Sequence, residues 1–505
     1  MTGQNRTLWN ATANAVGVAV SMLSGLLVMP YLIRTLGAST YGLWILIGTL
    51  TGYFGVLDLG VSAALGRLIA AHRARGEMRD VNVVMSTACA LLLIVSLVVC
   101  LATCVALFLF PVLFSVPADQ TMDVRYSLVL VGIGLALAFP SSIFLGFLWA
   151  YERFDLLNAV DVPVLILRAV LSLTLVSAAM PLTSLGVITF GIGVLGSVVK
   201  MALCFKVEPQ LSISWSHIRR DKVREIFSIG GWMSVISWSR TLIPQIGPTL
   251  IGARLGNAAV TTFTVARQLV TYAYVFSNST TQVLAPRAIA AHARQSVELQ
   301  TQLFIDGGKF ASAQTLFFCG GLSCLGLPFI HSWQHGSQDG AYALLLILIL
   351  GESLPMSQWL TYSVLLGANR QRMLGLLAIT EGALAFPLIM VLMQRAGLAG
   401  VCTGVALSGF LARGVFQWLY GCMLLDVSVG SYIRRVFAPV STAAALPIGF
   451  LYVTTVAVAP GSFGSIILLG AAYTLVYALV VGGFLLGYSR VKLLRKRLRN
   501  YFLPS

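Results

Sequence analysis

Apolar runs long enough to cross a lipid bilayer recur from one end of the chain to the other, separated by short polar breaks. About 20 such residues cross the ~30 Å hydrocarbon core as a helix. Inside lipid the backbone must satisfy its own hydrogen bonds, which leaves helices or a closed barrel. The runs here are unbroken, without the apolar–polar alternation of a barrel strand. The pattern therefore predicts an all-α integral membrane protein. Its fourteen spans fall at 8–33, 42–70, 82–110, 124–150, 156–180, 185–206, 227–253, 259–287, 303–330, 341–367, 372–394, 398–424, 433–457 and 464–488. The first run ends at Pro30 and Tyr31 without a small-residue cleavage site, so it reads as a span and not as a removable signal.

Composition agrees. Of 505 residues 58% are hydrophobic and only 10% charged, with a mean hydropathy of +0.88. A soluble chain carries about 25% charged residues, so a soluble enzyme is excluded. The net charge of +16 does not point to nucleic acid, because it sits in short loops and tails. One alternate set of loops holds Arg73, Arg75, Arg79, Arg153, Arg219, Arg220, Lys222, Arg224, Arg287, Arg294, Arg370, Arg372, Arg434 and Arg435. The other holds little beyond Arg34, Arg125, Arg254 and Arg395. Cytoplasmic loops carry the excess of Lys and Arg, which predicts that both termini are cytoplasmic. A basic tail, 489–505, would rest on anionic lipid headgroups.

The two halves of the chain look related. Arg67-Leu-Ile-Ala-Ala-His72 closes span 2, and Arg287-Ala-Ile-Ala-Ala-His292 closes span 8 at an offset of 220. Pro30-x-Leu-Ile-x-x-Leu-Gly37 ends span 1, and Pro248-x-Leu-Ile-x-x-x-Leu-Gly256 ends span 7 at an offset of 218. Six spans per repeat, both starting inside, give parallel halves that pack about an axis along the membrane normal. The predicted organisation is a six-helix lobe at 1–206, a cytoplasmic linker at 207–226 whose second part is a candidate amphipathic helix lying on the cytoplasmic face, and a second six-helix lobe at 227–424. Two added helices at 433–488 and the tail complete it.

Met29-Pro-Tyr-Leu-Ile-Arg-Thr-Leu-Gly-Ala-Ser-Thr-Tyr-Gly-Leu-Trp44 and Leu57-Asp-Leu-Gly-Val-Ser-Ala-Ala-Leu-Gly-Arg67 resemble polysaccharide flippases of the Wzx type. These belong to the multidrug/oligosaccharidyl-lipid/polysaccharide (MOP) exporter superfamily, which also holds lipid II flippases and drug/cation antiporters. The motifs cover spans 1 and 2, and the span plan fits the whole chain. The resemblance implies a MATE-like fold in the bacterial inner membrane. It also implies translocation of undecaprenyl-pyrophosphate-linked oligosaccharide by alternating access, for O-antigen, capsule or exopolysaccharide synthesis. Polysaccharide polymerase or export proteins are the partners it suggests. A cation-coupled small-molecule antiporter of the same fold is the alternative, and a membrane enzyme acting on lipid-linked sugar ranks third.

Charge inside the membrane costs at least a few kcal/mol, so it faces a wet cavity or a partner. Arg168, Arg240, Arg267 and Arg413 fall within spans 5, 7, 8 and 12. Guanidinium groups bind phosphate oxygens in bidentate fashion, which makes these four the candidate pyrophosphate ligands. Asp58, Glu352 and Glu381 lie in spans 2, 10 and 11; they are the candidates for coupling to H+ or Na+, or else the structural partners of the arginines. Asp306 and Lys309 stand three apart and can pair along one helix face. Tyr272, Tyr274, Trp359 and Tyr362 could stack on sugar rings. Pro244 and Pro248 mark a possible bend.

Enzymatic motifs are missing from the sequence. It contains no Gly-x-x-x-x-Gly-Lys-Ser/Thr phosphate loop and no His-Glu-x-x-His. The eight cysteines lie in or beside apolar spans without zinc-finger spacing. No metal or cofactor is predicted, and every loop is too short for a soluble catalytic domain.

Overall fold

A computed structural model describes residues 3–58, 60–176, 179–281 and 296–487. The tail 489–505, Arg287, Arg294 and the second copy of the Arg-x-Ile-Ala-Ala-His motif lie outside these residues. Among the described residues every regular element is helical. Eleven segments are long and apolar enough to cross a membrane. One of them, Gln371–Leu424, holds two spans divided by non-helical backbone at Ala396 and Gly397 (φ 54°). Helices also occupy the places of spans 7 and 8, so each of the fourteen predicted stretches contains helix.

The chain divides into two compact units, 1–261 and 262–505. The first begins with α1 (Gly3–Leu36), α2 (Ala38–Phe54), α3 (Val61–Ala74) and α4 (Met78–Leu113). It continues through α5 (Thr121–Ala150), α6 (Phe154–Thr174), α7 (Pro181–Val207) and α8 (Arg220–Arg254). Helix α9 (Asn257–Thr281) begins in this unit and continues into the second. Its core packs Leu65, Met85, Leu92 and Phe147, all inaccessible, between α3, α4 and α5. Burying each such side chain is worth about 1.5–3 kcal/mol against water. In lipid the gain comes instead from close packing and small residues.

Two details differ from the sequence pattern. The run 42–70, read as one span, is two helices. Helix α2 stops at Phe54, a 3-10 turn covers Gly55–Asp58, and Gly60 takes a left-handed conformation (φ 78°) before α3 starts. The stretch 208–219 is largely extended, with one 3-10 turn at Trp215–His217, and 220–226 forms the start of α8. That extended stretch is clipped along α4. Asn82 Nδ2 donates to the Gln210 carbonyl at 3.1 Å, and Asn82 Oδ1 accepts from Ser212 N–H at 3.0 Å. Ser86 and Thr87 accept from the amides of Ser214 and Arg219.

Helix α8 packs against α2, α3 and α4, which sets the boundary between the compact units one span beyond 207–226. A grouping by contact and a repeat of chain order are separate properties. Gly37 and Gly256, the aligned glycines of the two proline motifs, both take positive φ (82° and 92°) directly before a helix. Helix α8 runs through Pro244 and Pro248 without interruption.

The second unit holds α10 (Val297–Trp333), α11 (Ala341–Ser357), α12 (Trp359–Gly367) and α13 (Gln371–Gly409). A π-helical turn, Phe410–Phe416, joins α13 to α14 (Gln417–Leu424). The last two spans are α15 (Val429–Val458) and α16 (Phe463–Gly487). They dock on α10 through aromatic rings: Phe317 stacks on Tyr473 at 5.0 Å. The hydroxyls of Tyr473 and Tyr477 donate to the carbonyls of Phe317 and Ala313 at 3.0 and 2.6 Å. Asp306 and Lys309 approach to 3.6 Å on α10, as their spacing predicts.

Candidate substrate and coupling site

Two irregularities of the helices build a charged node in the second unit. Helix α11 ends at Ser357 after Pro355 removes a backbone donor from its last turn. The fully buried Gln358 fills the break: its Oε1 accepts from Thr361 Oγ1 at 2.8 Å, and its carbonyl accepts from Gln417 Nε2 at 3.0 Å. The π-turn then inserts an extra residue per turn in the neighbouring helix and re-aims Arg413; such turns recur at functional sites.

Arg413 is held as a fork between two carboxylates. Its Nη2 and Nη1 donate to Glu352 Oε1 and Oε2 at 2.6 and 3.0 Å. Its Nε donates to both oxygens of Glu381 at 2.9 Å. Glu352 comes from α11 and Glu381 from α13, so one guanidinium ties three segments with charge-assisted bonds. Gly409 makes room for it: a Cβ there would stand 2.6 Å from Arg413 Nη2. Arg267 on α9 lies over the Phe263 ring at 5.9 Å and interacts electrostatically with Glu352 and Arg413. Two arginines and two glutamates make the node neutral in sum.

Aromatic rings lie beside it. Tyr274 and Trp359 approach to 5.5 Å and Trp359 and Tyr362 to 5.6 Å, and Tyr274 interacts electrostatically with Arg413. Tyr272 does not join these rings.

The remaining candidates belong to the first unit. Arg168 on α6 is exposed and makes a long hydrogen bond of 3.4 Å to Thr189 on α7. Arg240 is an exposed residue of α8. Asp58 sits at the break between α2 and α3, where its carboxylate accepts from Ser62 Oγ at 2.7 Å. Ser62 in turn meets Ser142 of α5 at 3.2 Å. Asp58 also accepts from the Ser62 amide at 3.4 Å, in the first turn of α3.

The sequence reading did not single out an ion pair on α6 and α7, Asp161 with Lys200, at 2.7 Å. The available signal was two opposite charges inside adjacent predicted spans. His72, Glu77 and Asp80 also approach within 4.8 Å of one another. This group lies where α3 passes to α4, and both His72 nitrogens are engaged, Nδ1 by Glu77 at 2.7 Å and Nε2 by Lys222 at 3.4 Å. The hydrogen bond from His72 holds the Glu77 carboxyl below its ordinary value, helped by the charges of Arg75 and Lys222.

Long apolar helices and the charge held among them define a multi-pass helical membrane protein. Residues 7–291, more than half of the chain, match the family described as polysaccharide biosynthesis protein, and the chain belongs to that family. It is 21% identical over 443 residues to the uncharacterized membrane protein EpsK of Bacillus subtilis, covering 86% of each chain. It is 18% identical to a putative O-antigen transporter of Shigella flexneri, covering 81% of this chain and 97% of that one. Among solved structures, the lipid II flippase MurJ in an inward closed conformation superposes with a TM-score of 0.69 at 13% identity, covering 94% of this chain and 98% of that one. An inward-facing multidrug resistance MATE family transporter of the MOP superfamily gives 0.64 at 16% identity, covering 83% and 94%. The MATE-like fold predicted from the sequence is thereby shown, and so is the resemblance to the polysaccharide flippases of that superfamily.

Proposed function

We propose that this protein moves an undecaprenyl-pyrophosphate-linked oligosaccharide from the cytoplasmic to the periplasmic leaflet of a bacterial inner membrane, by alternating access, to supply surface polysaccharide synthesis. Both termini are cytoplasmic in this reading. The observation that carries it is the Arg413 node with its flanking aromatic rings in a chain of the polysaccharide biosynthesis family. Fixed guanidinium groups replace water around phosphate oxygens, and ring faces suit the apolar faces of sugars. Arg168, Arg240 and Arg267 are the cations offered to the pyrophosphate. Arg413 acts through its carboxylates: a proton or Na+ arriving at Glu352 or Glu381 neutralises one partner and releases the guanidinium. Asp58 is a further candidate for such coupling.

Polysaccharide polymerase and export proteins would act on the translocated glycan. The reading makes the protein a transporter and not an enzyme. The test is a deletion strain. Loss of surface polysaccharide with lipid-linked glycan accumulating on the cytoplasmic leaflet supports it. Normal polysaccharide together with lost resistance to cationic drugs points to the antiporter alternative.

A further inference from the structure

The intramembrane cations differ in how firmly they are committed. Arg413 engages both oxygens of two carboxylates through four contacts of 2.6–3.0 Å. An incoming phosphate would have to break several charge-assisted bonds to use it. Lys200 is held by one contact, 2.7 Å from its Nζ to Asp161 Oδ1. An ammonium has three donors, and the Asp161 side chain is 46% exposed. This pair is monodentate and open.

Its placement matters as much. On α6, Asp161 and Arg168 are seven residues apart, close to two full turns, so they share a face about 10 Å apart along the axis. On α7, Thr189 and Lys200 are eleven apart, close to three turns, and also share a face. The antiparallel helices thus carry two polar rungs, Asp161–Lys200 and Arg168–Thr189. The first rung lies seven residues from the start of α6 and seven from the end of α7, at the end that the charge of the loops assigns to the cytoplasm. The second rung lies deeper. Cations therefore mark two depths on one surface of the first unit.

We propose that Lys200 is a latched ligand for the pyrophosphate head of the lipid carrier. Asp161 occupies the ammonium while the protein is empty, the pyrophosphate displaces that carboxylate on entry, and Arg168 takes the anion at the next rung. The proposal rests on the flippase reading above. A lysine suits the first rung because a point charge on a flexible stem exchanges partners without a fixed fork geometry. Asp161 keeps the intramembrane ammonium neutralised between cycles, which lowers the cost of holding it in the bilayer.

A purely structural pair and a latch respond differently to substitution. If the pair only holds α6 on α7, Asp161→Asn and Lys200→Gln break the same contact and move binding the same way. In a latch, Asp161 competes with the ligand, so the two changes act in opposite directions. The measurement is binding of farnesyl pyrophosphate to purified full-length protein in nanodiscs, with farnesol as the headgroup-free control. A charge-assisted bond is worth about 1.5–3 kcal/mol, about a tenfold or larger change in Kd. Asp161→Asn should therefore bind about tenfold more tightly and Lys200→Gln about tenfold more weakly. Neither variant should bind farnesol differently from wild type. If Lys200→Gln fails to accumulate, the sign of the Asp161→Asn change decides. Weaker or unchanged binding by Asp161→Asn, with wild-type binding intact, overturns the latch alone. Wild-type protein that does not distinguish farnesyl pyrophosphate from farnesol overturns the flippase reading and the latch with it.

Discussion

Replacing Arg413 by alanine leaves two carboxylates in the membrane with their shared cation gone. Glu381 retains 7% of its side-chain exposure and Glu352 18%, so neither gains much water in compensation. Removing one partner of a buried ion pair costs about 3–5 kcal/mol. Here Arg413 itself is 30% exposed, which places the loss near the lower end, about 3 kcal/mol. That is roughly a hundredfold in the folded-to-unfolded ratio. The assay is unfolding of detergent-solubilised protein by increasing SDS mole fraction, followed by tryptophan fluorescence. The triple change Arg413→Met, Glu352→Gln and Glu381→Gln removes the uncompensated charge as well as the pair. It should return to within about 1 kcal/mol of wild type, since ion pairs replaced by apolar or neutral groups are often near neutral in cost. An Arg413→Ala variant within about 0.5 kcal/mol of wild type would refute the reasoning, as would a triple variant no more stable than the single one.

Other perturbations probe neighbouring parts of the account. Gly409→Ala puts a methyl group 2.6 Å from Arg413 Nη2 and 3.4 Å from Glu381 Oε1; overpacking of this kind costs about 1–3 kcal/mol, measurable in the same SDS titration. Asn82→Ala removes two hydrogen bonds to the 208–219 stretch, each worth about 1 kcal/mol, and should speed cleavage there in limited proteolysis without changing the SDS midpoint of the whole protein. The lowered pKa of Glu77 has a definite sign. Its contribution is fully present above the ordinary glutamate value of 4.5 and is lost as pH falls through the lower value in the folded protein. Protection of the amides at residues 74–78 against hydrogen exchange, taken relative to the intrinsic rate at each pH, should fall on acidification in wild type, and Glu77→Gln should abolish that dependence. Trp359→Ala should lower glycan transport while Trp359→Phe preserves it, because the ring contacts to Tyr274 and Tyr362 require an aromatic face.

Much of the fold was legible because hydrocarbon thickness imposes a length on every apolar run. The division at 395–397 was marked by Arg395 and Gly397, and the structure breaks there. The break at Gly55–Gly60 was not visible, because a 3-10 turn inside an apolar run leaves the hydropathy unchanged. The extended course of 208–219 was also hidden, since it depends on Asn82, Ser86 and Thr87, more than 120 residues away. The charged node was half legible. Glu352, Glu381 and Arg413 each stood out as charges within spans, and their pairing was one of the two readings the sequence left open. It could not be chosen from the sequence because the partners are 32 and 61 residues apart and a π-turn aims the guanidinium. Asp306 with Lys309 needed only helical spacing. Asp161 with Lys200 required knowing that α6 and α7 align at those positions.

The most direct test of the central claim is the sidedness of lipid-linked oligosaccharide in inverted membrane vesicles containing or lacking this protein. The cytoplasmic leaflet faces outward in such vesicles, so an added glycosidase reads what has not been moved. The account predicts that wild-type protein renders the glycan resistant to the enzyme. A stably inserted Arg168→Ala, Arg240→Ala, Arg267→Ala variant should leave it accessible. Glycan equally accessible with and without the wild-type protein would contradict the account.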